Sequence, residues 1–124
     1  MRKDLNMRKG KIAAQAAHAS SKVILDMMPV TIDGDSISRT ITMQAGSPLD
    51  LWLNGNFKKI CLGIESEEEL LNIVSQAKNA GLPVALILDS GLTEFGGVPT
   101  YTCCAIGPEL PEKIDPITGQ LKPL

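Results

Sequence analysis

Arg8-Lys9-Gly10-Lys11-Ile12-Ala13-Ala14-Gln15-Ala16-Ala17-His18-Ala19-Ser20-Ser21-Lys22 is the stretch on which the reading of this chain turns. At about 100° per residue on a helix, Lys11, Ala14, Gln15, His18 and Lys22 share one face, and Ile12, Ala16, Ala19 and Val23 share another. One face is polar and the other is packable. Five alanines between positions 13 and 19 leave little side-chain bulk, so the helix can lie close to a sheet or let a large ligand approach its backbone. Gly10, flanked by Lys9 and Lys11, opens an N-terminus where free N–H groups and ammonium groups can meet a phosphate. His18, the only histidine, sits on the polar face; a solvated histidine on an Ala-rich helix is the bland reading of the same pattern.

The 124 residues, 44% of them hydrophobic, suit one compact domain spanning 1–124 with a modest core. No apolar run reaches the ~18 to 20 residues that span a bilayer, and the start is basic and polar, unlike a signal peptide; a cytoplasmic protein without a membrane partner is expected. Cys61, Cys103 and Cys104 are odd in number, lie in apolar runs and lack metal-ligand spacing, so buried free thiols are expected and no metal. The formal charge of −2 argues weakly against a nucleic-acid partner, but it is unevenly spread. Residues 1–22 carry Arg2, Lys3, Arg8, Lys9, Lys11 and Lys22 against Asp4 alone, a net of +5 that leaves −7 on the remainder. Such a patch attracts phosphates over a Debye length of about 8 Å.

In chain order, residues 1–9 read as a polar loop. A helix runs from about Gly10 to Met28 and is stopped by Pro29. Residues 29–46 read as an insertion: Ile37, Arg39, Ile41 and Met43 alternate with polar residues, and Asp33-Gly34 is a hairpin-type turn. Ser47-Pro48 starts a brief helix through Trp52 that closes near Gly55. Phe57 to Ile64 reads as a strand. Ser66-Glu-Glu-Glu69 is a capping box for a helix burying Leu70, Ile73, Val74 and Ala77 and ending at Gly81. Leu82 to Leu88 is continuously apolar, as in a strand covered on both faces, and runs into Asp89. A glycine-rich loop through Pro99 leads to a strand over Thr100 to Gly107; the proline-rich tail predicts one helical turn near Glu112 and otherwise extended chain. The expected class is α/β, a small sheet flanked by helices.

Two blocks, Lys9-Gly-Lys-Ile-Ala-Ala-Gln-Ala-Ala-His-Ala19 and Leu82-Pro-Val-Ala-Leu-Ile-Leu-Asp-Ser-Gly-Leu-Thr-Glu94 with its following Thr-Tyr-Thr-Cys-Cys-Ala-Ile-Gly-Pro108 and Ile114-Asp-Pro-Ile-Thr-Gly-Gln-Leu121, resemble the archaeal- and eukaryotic-type peptidyl-tRNA hydrolases. The resemblance covers roughly residues 2–28 and 57–124 and keeps order and spacing. It implies a mixed four-stranded sheet with helices on both faces, a possible homodimer, no cofactor, and hydrolysis of the ester of peptidyl-tRNA to release peptide and tRNA. By position it assigns a catalytic set of Lys11, His18, Asp89, Thr93 and Thr102. Arg8, Lys9, Lys11, Gln15 and Lys22 would meet the tRNA, at its acceptor stem and 3′ end, through shape and phosphates. Leu92 and Glu94 depart from the family's usual arginine and glutamine, which weakens local phosphate attraction. They keep open an alternative of another class, a catalytically inactive tRNA- or protein-binding relative.

Ester hydrolysis needs an activated water, a place for charge on the carbonyl oxygen and a grip on phosphate. Asp89 can orient or deprotonate water, Lys11 can stabilise the oxyanion or hold the terminal phosphate, and the threonines can hydrogen-bond substrate. The family's first, apolar strand is almost missing before Arg2. Its absence leaves the Leu82–Leu88 and Thr100–Ile106 strands short of a neighbour, with open edges prone to aggregate unless another segment, such as Ile37 to Met43, fills the slot.

Overall fold

A computed structural model describes residues 1–124. The slot in the sheet is filled, but by the start of the chain itself. The amide of Arg2 donates to Thr102 O at 2.9 Å, that of Lys3 donates to Ile64 O at 2.8 Å, and Ile64 N returns to Met1 O at 3.0 Å, a parallel bridge. The segment expected to be a loop is therefore half strand: three residues satisfy backbone groups on both sides, which is what a central strand must do. On one side of them lie β3 (Leu62–Gly63) and its antiparallel partner β6 (Lys122–Pro123). On the other lie β5 (Thr100–Ile106) and its antiparallel partner β4 (Val84–Asp89). The regular pairings are thus two-stranded, β3 with β6 and β4 with β5, and Met1–Lys3 links them through a parallel bridge to Ile64 and one bond to Thr102 into a small mixed α/β arrangement.

Helices cover both faces. Helix α1 (Lys9–Leu25) lies on one, where Ala19 packs with Ile87 and Cys103, flanked by Met1 and Ala105. Its small side chains let helix and sheet approach closely, as its alanine content suggests. On the other face α3 (Glu67–Asn79) buries Leu70, Ile73, Val74 and Ala77, the four expected from its periodicity. They meet Val84, Leu86, Tyr101 and Cys104 of the sheet, and Ile117 of α4 (Pro111–Thr118). The Ser66 hydroxyl accepts from Glu69 N at 3.1 Å, so the capping box forms as its sequence indicates.

The strand β5 does not alternate cleanly. Ile87 is opposite Cys103, but Leu88 is opposite Tyr101, which leaves Thr102 without a partner on β4. This bulge turns Thr102 towards α1 beside Cys103, while Tyr101 and Cys104 keep to the α3 face.

Several boundaries differ from those expected. Helix α1 ends at Leu25, because the amides of Met27 and Met28 take tighter bonds to Ile24 and Leu25 ahead of Pro29, and Arg39 donates to Leu25 O at 3.1 Å. Residues 30–39 form a hairpin, β1 (Val30–Asp33) with β2 (Ser36–Arg39), exposed along its whole length and nowhere near the sheet slot; Ile41 and Met43 lie beyond it. The brief helix α2 (Pro48–Leu51) is capped by Ser47 and continues into one wide turn, Trp52–Asn56. Of the strand expected over Phe57 to Ile64 only Leu62–Gly63 and the bridge at Ile64 form, although Leu124 N also donates to Cys61 O at 3.0 Å; Cys61 is exposed, and the expectation of three buried thiols holds for neither it nor, in full, the half-buried Cys104. The tail makes a helix two turns long despite Pro116, since Ile114 and Ile117 dock onto the core that α3 offers.

Leu70 is 1% exposed and Ile32 and Ile37 are each 71% exposed. Leu70→Ala is therefore expected to cost about 2–5 kcal/mol of unfolding free energy in urea titrations, whereas Ile32→Ala and Ile37→Ala should each stay within about 0.5 kcal/mol of the parent.

Candidate active site

The first turns of α1 and the C-terminal end of β4 meet at one edge of the sheet. Lys11 projects from α1 and places its Nζ 2.8 Å from Asp89 Oδ1, at the last residue of β4. The same ammonium donates to Thr93 Oγ1 at 2.9 Å and lies 5.6 Å from the centre of the Phe95 ring. One turn further along α1, Gln15 Nε2 donates to Asp89 Oδ1 at 3.0 Å, and its Oε1 accepts from the Thr102 hydroxyl. The Lys11 and Asp89 side chains are each 12% exposed, Gln15 is 1% exposed and Thr102 is fully buried.

The loop after β4 is folded back to hold this geometry. Asp89 Oδ2 accepts from Gly91 N at 2.8 Å, an aspartate-initiated turn, and Gly91 O accepts from Gly97 N at 2.8 Å. Gly91 has φ +79°, and a Cβ there would stand 2.1 Å from the Val98 carbonyl oxygen, so only glycine fits. Thr93 and Phe95 are thereby presented to Lys11.

Asp89 thus accepts three hydrogen bonds. The Lys11 ammonium is the largest influence and holds the carboxyl below its ordinary range; partial burial opposes this, and the Gly91 amide and Gln15 reinforce it. A carboxylate so stabilised is a weak base, and both lone pairs of Oδ1 are engaged. Its remaining acceptor site is on Oδ2, where it can orient a water. Lys11 has three N–H donors, of which Asp89 and Thr93 take two, leaving one for a carbonyl or phosphate oxygen.

The other expected site residues are placed differently. His18 is exposed on the outer side of α1, outside this hydrogen-bonded group. Arg8 is 85% exposed at its side chain and lies 3.5 Å from Glu94, whose other oxygen accepts from Arg8 N at 3.3 Å. Lys9 is exposed, and Lys22 is half exposed and pairs with Asp26 at 3.0 Å. Lys11, Asp89, Thr93, Gln15 and Thr102 are brought together; His18, Lys9 and Lys22 line the outside of the same helix. Gly91, Phe95 and the Arg8–Glu94 contact were not legible as site components, although the Asp-x-Gly spacing is a signal for the Gly91 turn. Burial pushes the Cys104 thiol up to about 11 and raises that of Cys103, so neither is a ready nucleophile. No group of three His, Cys, Asp or Glu side chains gathers in a metal-holding arrangement, and no helix is long and apolar enough to cross a membrane.

Comparison with known proteins gives matches that extend over nearly the whole chain. The family model described as peptidyl-tRNA hydrolase PTH2 matches residues 1–124. A peptidyl-tRNA hydrolase of Methanopyrus kandleri is 40% identical over 121 residues, 98% of this chain and 90% of that protein. Those of Metallosphaera sedula and Methanocaldococcus jannaschii are 40% and 39% identical over 122 residues, 98% of this chain and 93% of each.

Because the folded state lowers the Asp89 pKa, its contribution to stability is complete above the unfolded value and is lost as pH falls through the folded one. Carboxyl-carbon NMR should show Asp89 titrating below 3.8, its ordinary value, and Lys11→Ala should move the midpoint upward. A midpoint that Lys11→Ala leaves in place would remove the ion pair as the cause.

Proposed function

The chain belongs to the peptidyl-tRNA hydrolase PTH2 family, and we propose that it cleaves its substrate at the Lys11, Asp89 and Thr93 group. It hydrolyses peptidyl-tRNA, an ester between a peptide carboxyl and a ribose hydroxyl of the tRNA end. The observation that carries the assignment of residues is the placement of one ammonium within 2.9 Å of both an ionised carboxylate and a threonine hydroxyl, at an edge open to solvent.

In this reading Asp89 Oδ2 orients the attacking water rather than serving as a strong base, in keeping with its depressed pKa. Water attacks the ester carbonyl, charge develops on the carbonyl oxygen, and the free N–H of Lys11 stabilises it; collapse expels the ribose oxygen, which takes up the proton given up by the water. Thr93 fixes the ammonium and the loop beside it. His18 stands some ten ångströms along the helix, since seven residues rise about 10.5 Å, which suits contact with a further part of the substrate better than contact with the reacting ester.

The tRNA, through its acceptor stem and 3′ end, would lie across the basic start of α1, where Arg8, Lys9 and Lys22 are exposed. Gln15 is buried, so in this reading it serves the tRNA only through Lys11 and Asp89. Glu94 already neutralises Arg8 in part, which gives a structural meaning to its replacement of glutamine. Two copies associating is part of the same proposal, supported by the large apolar side chains Leu51, Phe57 and Ile60, which are 48–66% exposed within ten residues of chain. So is a cytoplasmic location, where translation supplies the substrate.

Incubation with an N-blocked aminoacyl-tRNA should release the blocked amino acid above a buffer control. Asp89→Asn should lower turnover at least about 100-fold while tRNA still binds; equal turnover in that variant would move the chemistry elsewhere. For binding, Lys9→Ala should make the slope of log affinity against log salt shallower by about one, the share of one neutralised phosphate, and Glu94→Gln should make it steeper by freeing Arg8. Slopes unchanged by both substitutions would place the tRNA off this face.

A further inference from the structure

Thr102 is fully buried and Gln15 is 1% exposed, so neither has surface to offer a substrate, yet a chain of hydrogen bonds runs through both to the reacting edge. The Thr102 hydroxyl donates to Gln15 Oε1, and Gln15 Nε2 donates to Asp89 Oδ1 at 3.0 Å. The order is forced by the acceptor at its end. A carboxylate only accepts, so the amide must present its NH2 group to Asp89 and its oxygen to Thr102; the reversed amide would set two acceptors against each other. Thr102 has one proton, and it goes to Gln15 rather than along the longer approach of 3.7 Å to Cys103 Sγ. Cys103 in turn donates to Gln15 O at 3.4 Å, which ties the helix backbone to the same strand.

What puts Thr102 in place is the irregularity of β5. In an unbroken strand residues 102 and 103 would point to opposite faces; the bulge opposite Ile87 and Leu88 turns both towards α1. The amide of Arg2 donates to Thr102 O at 2.9 Å and so anchors the bulged residue from the neighbouring segment. A hydroxyl buried at this point, with its single proton committed to one amide oxygen, is a means of fixing which way that amide faces.

We propose that Thr102 and Gln15 are positioning residues: the bulged threonine locks the Gln15 carboxamide so that its NH2 holds Asp89 Oδ1 in register with Lys11. The inference rests on the assignment of Asp89 and Lys11 to the reaction but concerns how they are held. It predicts a hydroxyl requirement at 102 and a donor requirement at 15. The charged or titratable groups facing Gln15 are Lys11 on its own helix, Asp89 at the end of β4 and the Cys103 thiol on β5, the last kept neutral by burial.

The test compares Thr102→Val, Thr102→Ser and Gln15→Glu in the full chain, with N-blocked aminoacyl-tRNA as substrate. Thr102→Val should lower kcat by about tenfold with KM within about twofold, and Thr102→Ser, which keeps the hydroxyl, should return to within about threefold of the parent. Gln15→Glu sets a second carboxylate against Asp89, so its activity should be low at neutral pH and rise towards acid as the new carboxyl takes up a proton and can donate again. A serine variant as impaired as the valine variant, or a Gln15→Glu profile parallel to that of the parent, would overturn the proposal. One readout does not depend on turnover: the Gln15 side-chain NH2 protons should exchange slowly in the parent and at least about tenfold faster in Thr102→Val, or in Thr102→Ala if the valine variant does not fold. Unchanged exchange in a folded variant overturns the relay even if the parent proves inactive, whereas an inactive parent with the expected exchange pattern refutes only the catalytic assignment.

Discussion

The contact between Lys11 and Asp89, 2.8 Å long and seven-eighths withdrawn from water, sets the terms for the rest of the molecule. Burying two charges costs several kcal/mol per ion unless geometry and further hydrogen bonds offset it. Here every nearby element supplies one: the turn at Gly91, Gln15 from the helix and Thr93 from the loop. No buried side-chain nitrogen or oxygen is left without a partner. A pair this well satisfied fixes the distance between α1 and the end of β4, and the alanines of α1 are what allow that distance to be short. The electrostatics and the packing of the helix are thus one constraint seen from two sides.

The same economy of structure governs the sheet. Its middle consists of Met1 to Lys3, bonded to Ile64 on one side and to Thr102 on the other. Arg2 adds side-chain bonds to Asp4 at 2.6 Å and to Tyr101 O at 3.0 Å, so the segment is held by its side chain as well as its backbone. Apolar burial is modest on each face, with clusters of three or four fully buried residues. Regular elements therefore concentrate where α1, α3, β4 and β5 cross, and the hairpin Val30–Arg39 contributes no buried side chain at all.

How far this was legible in the sequence follows from the range of each interaction. Periodicity reports local burial, and it placed the α3 stripe residue by residue because those four side chains repeat at helical spacing on a single face. It also located β4 and β5, whose apolar runs are covered on both sides. It misjudged Gln15, reading it as part of a polar face open to the tRNA, since only the partner strand makes that position buried. The pairing of residues 1–3 is likewise non-local: a polar, charged segment gives no apolar alternation, and its place is set by backbone groups on two strands some sixty and a hundred residues away. The bulge at Thr102 leaves no mark in the run Thr-Tyr-Thr-Cys-Cys, which reads equally well as a regular strand. At the site, the family-like blocks pointed to Lys11, His18, Asp89, Thr93 and Thr102, and the structure gathers all of these but His18, which stays exposed along α1; what the blocks do not convey is that Thr102 stands behind the others.

The depressed Asp89 pKa separates two ways in which such a site can work. A general base gains from a pKa near the working pH, and a carboxylate held low by an ammonium gives that up. What it gains is a fixed charge distribution that needs no rearrangement when the substrate's carbonyl oxygen becomes negative. In the proposed reaction the Lys11 ammonium then faces a choice between two anions, the permanent one on Asp89 and the transient one on the substrate. Because Asp89 is shared with Gln15 and Gly91, it does not collapse onto Lys11 alone, and one ammonium N–H stays free for the developing charge. Loss of the Gln15 donor would leave Asp89 to Lys11 and the Gly91 amide and, in the proposed reaction, tighten the ion pair at the expense of the transition state. In the proposed reaction, the buried amide and hydroxyl behind the site therefore act through the balance they impose on one ion pair.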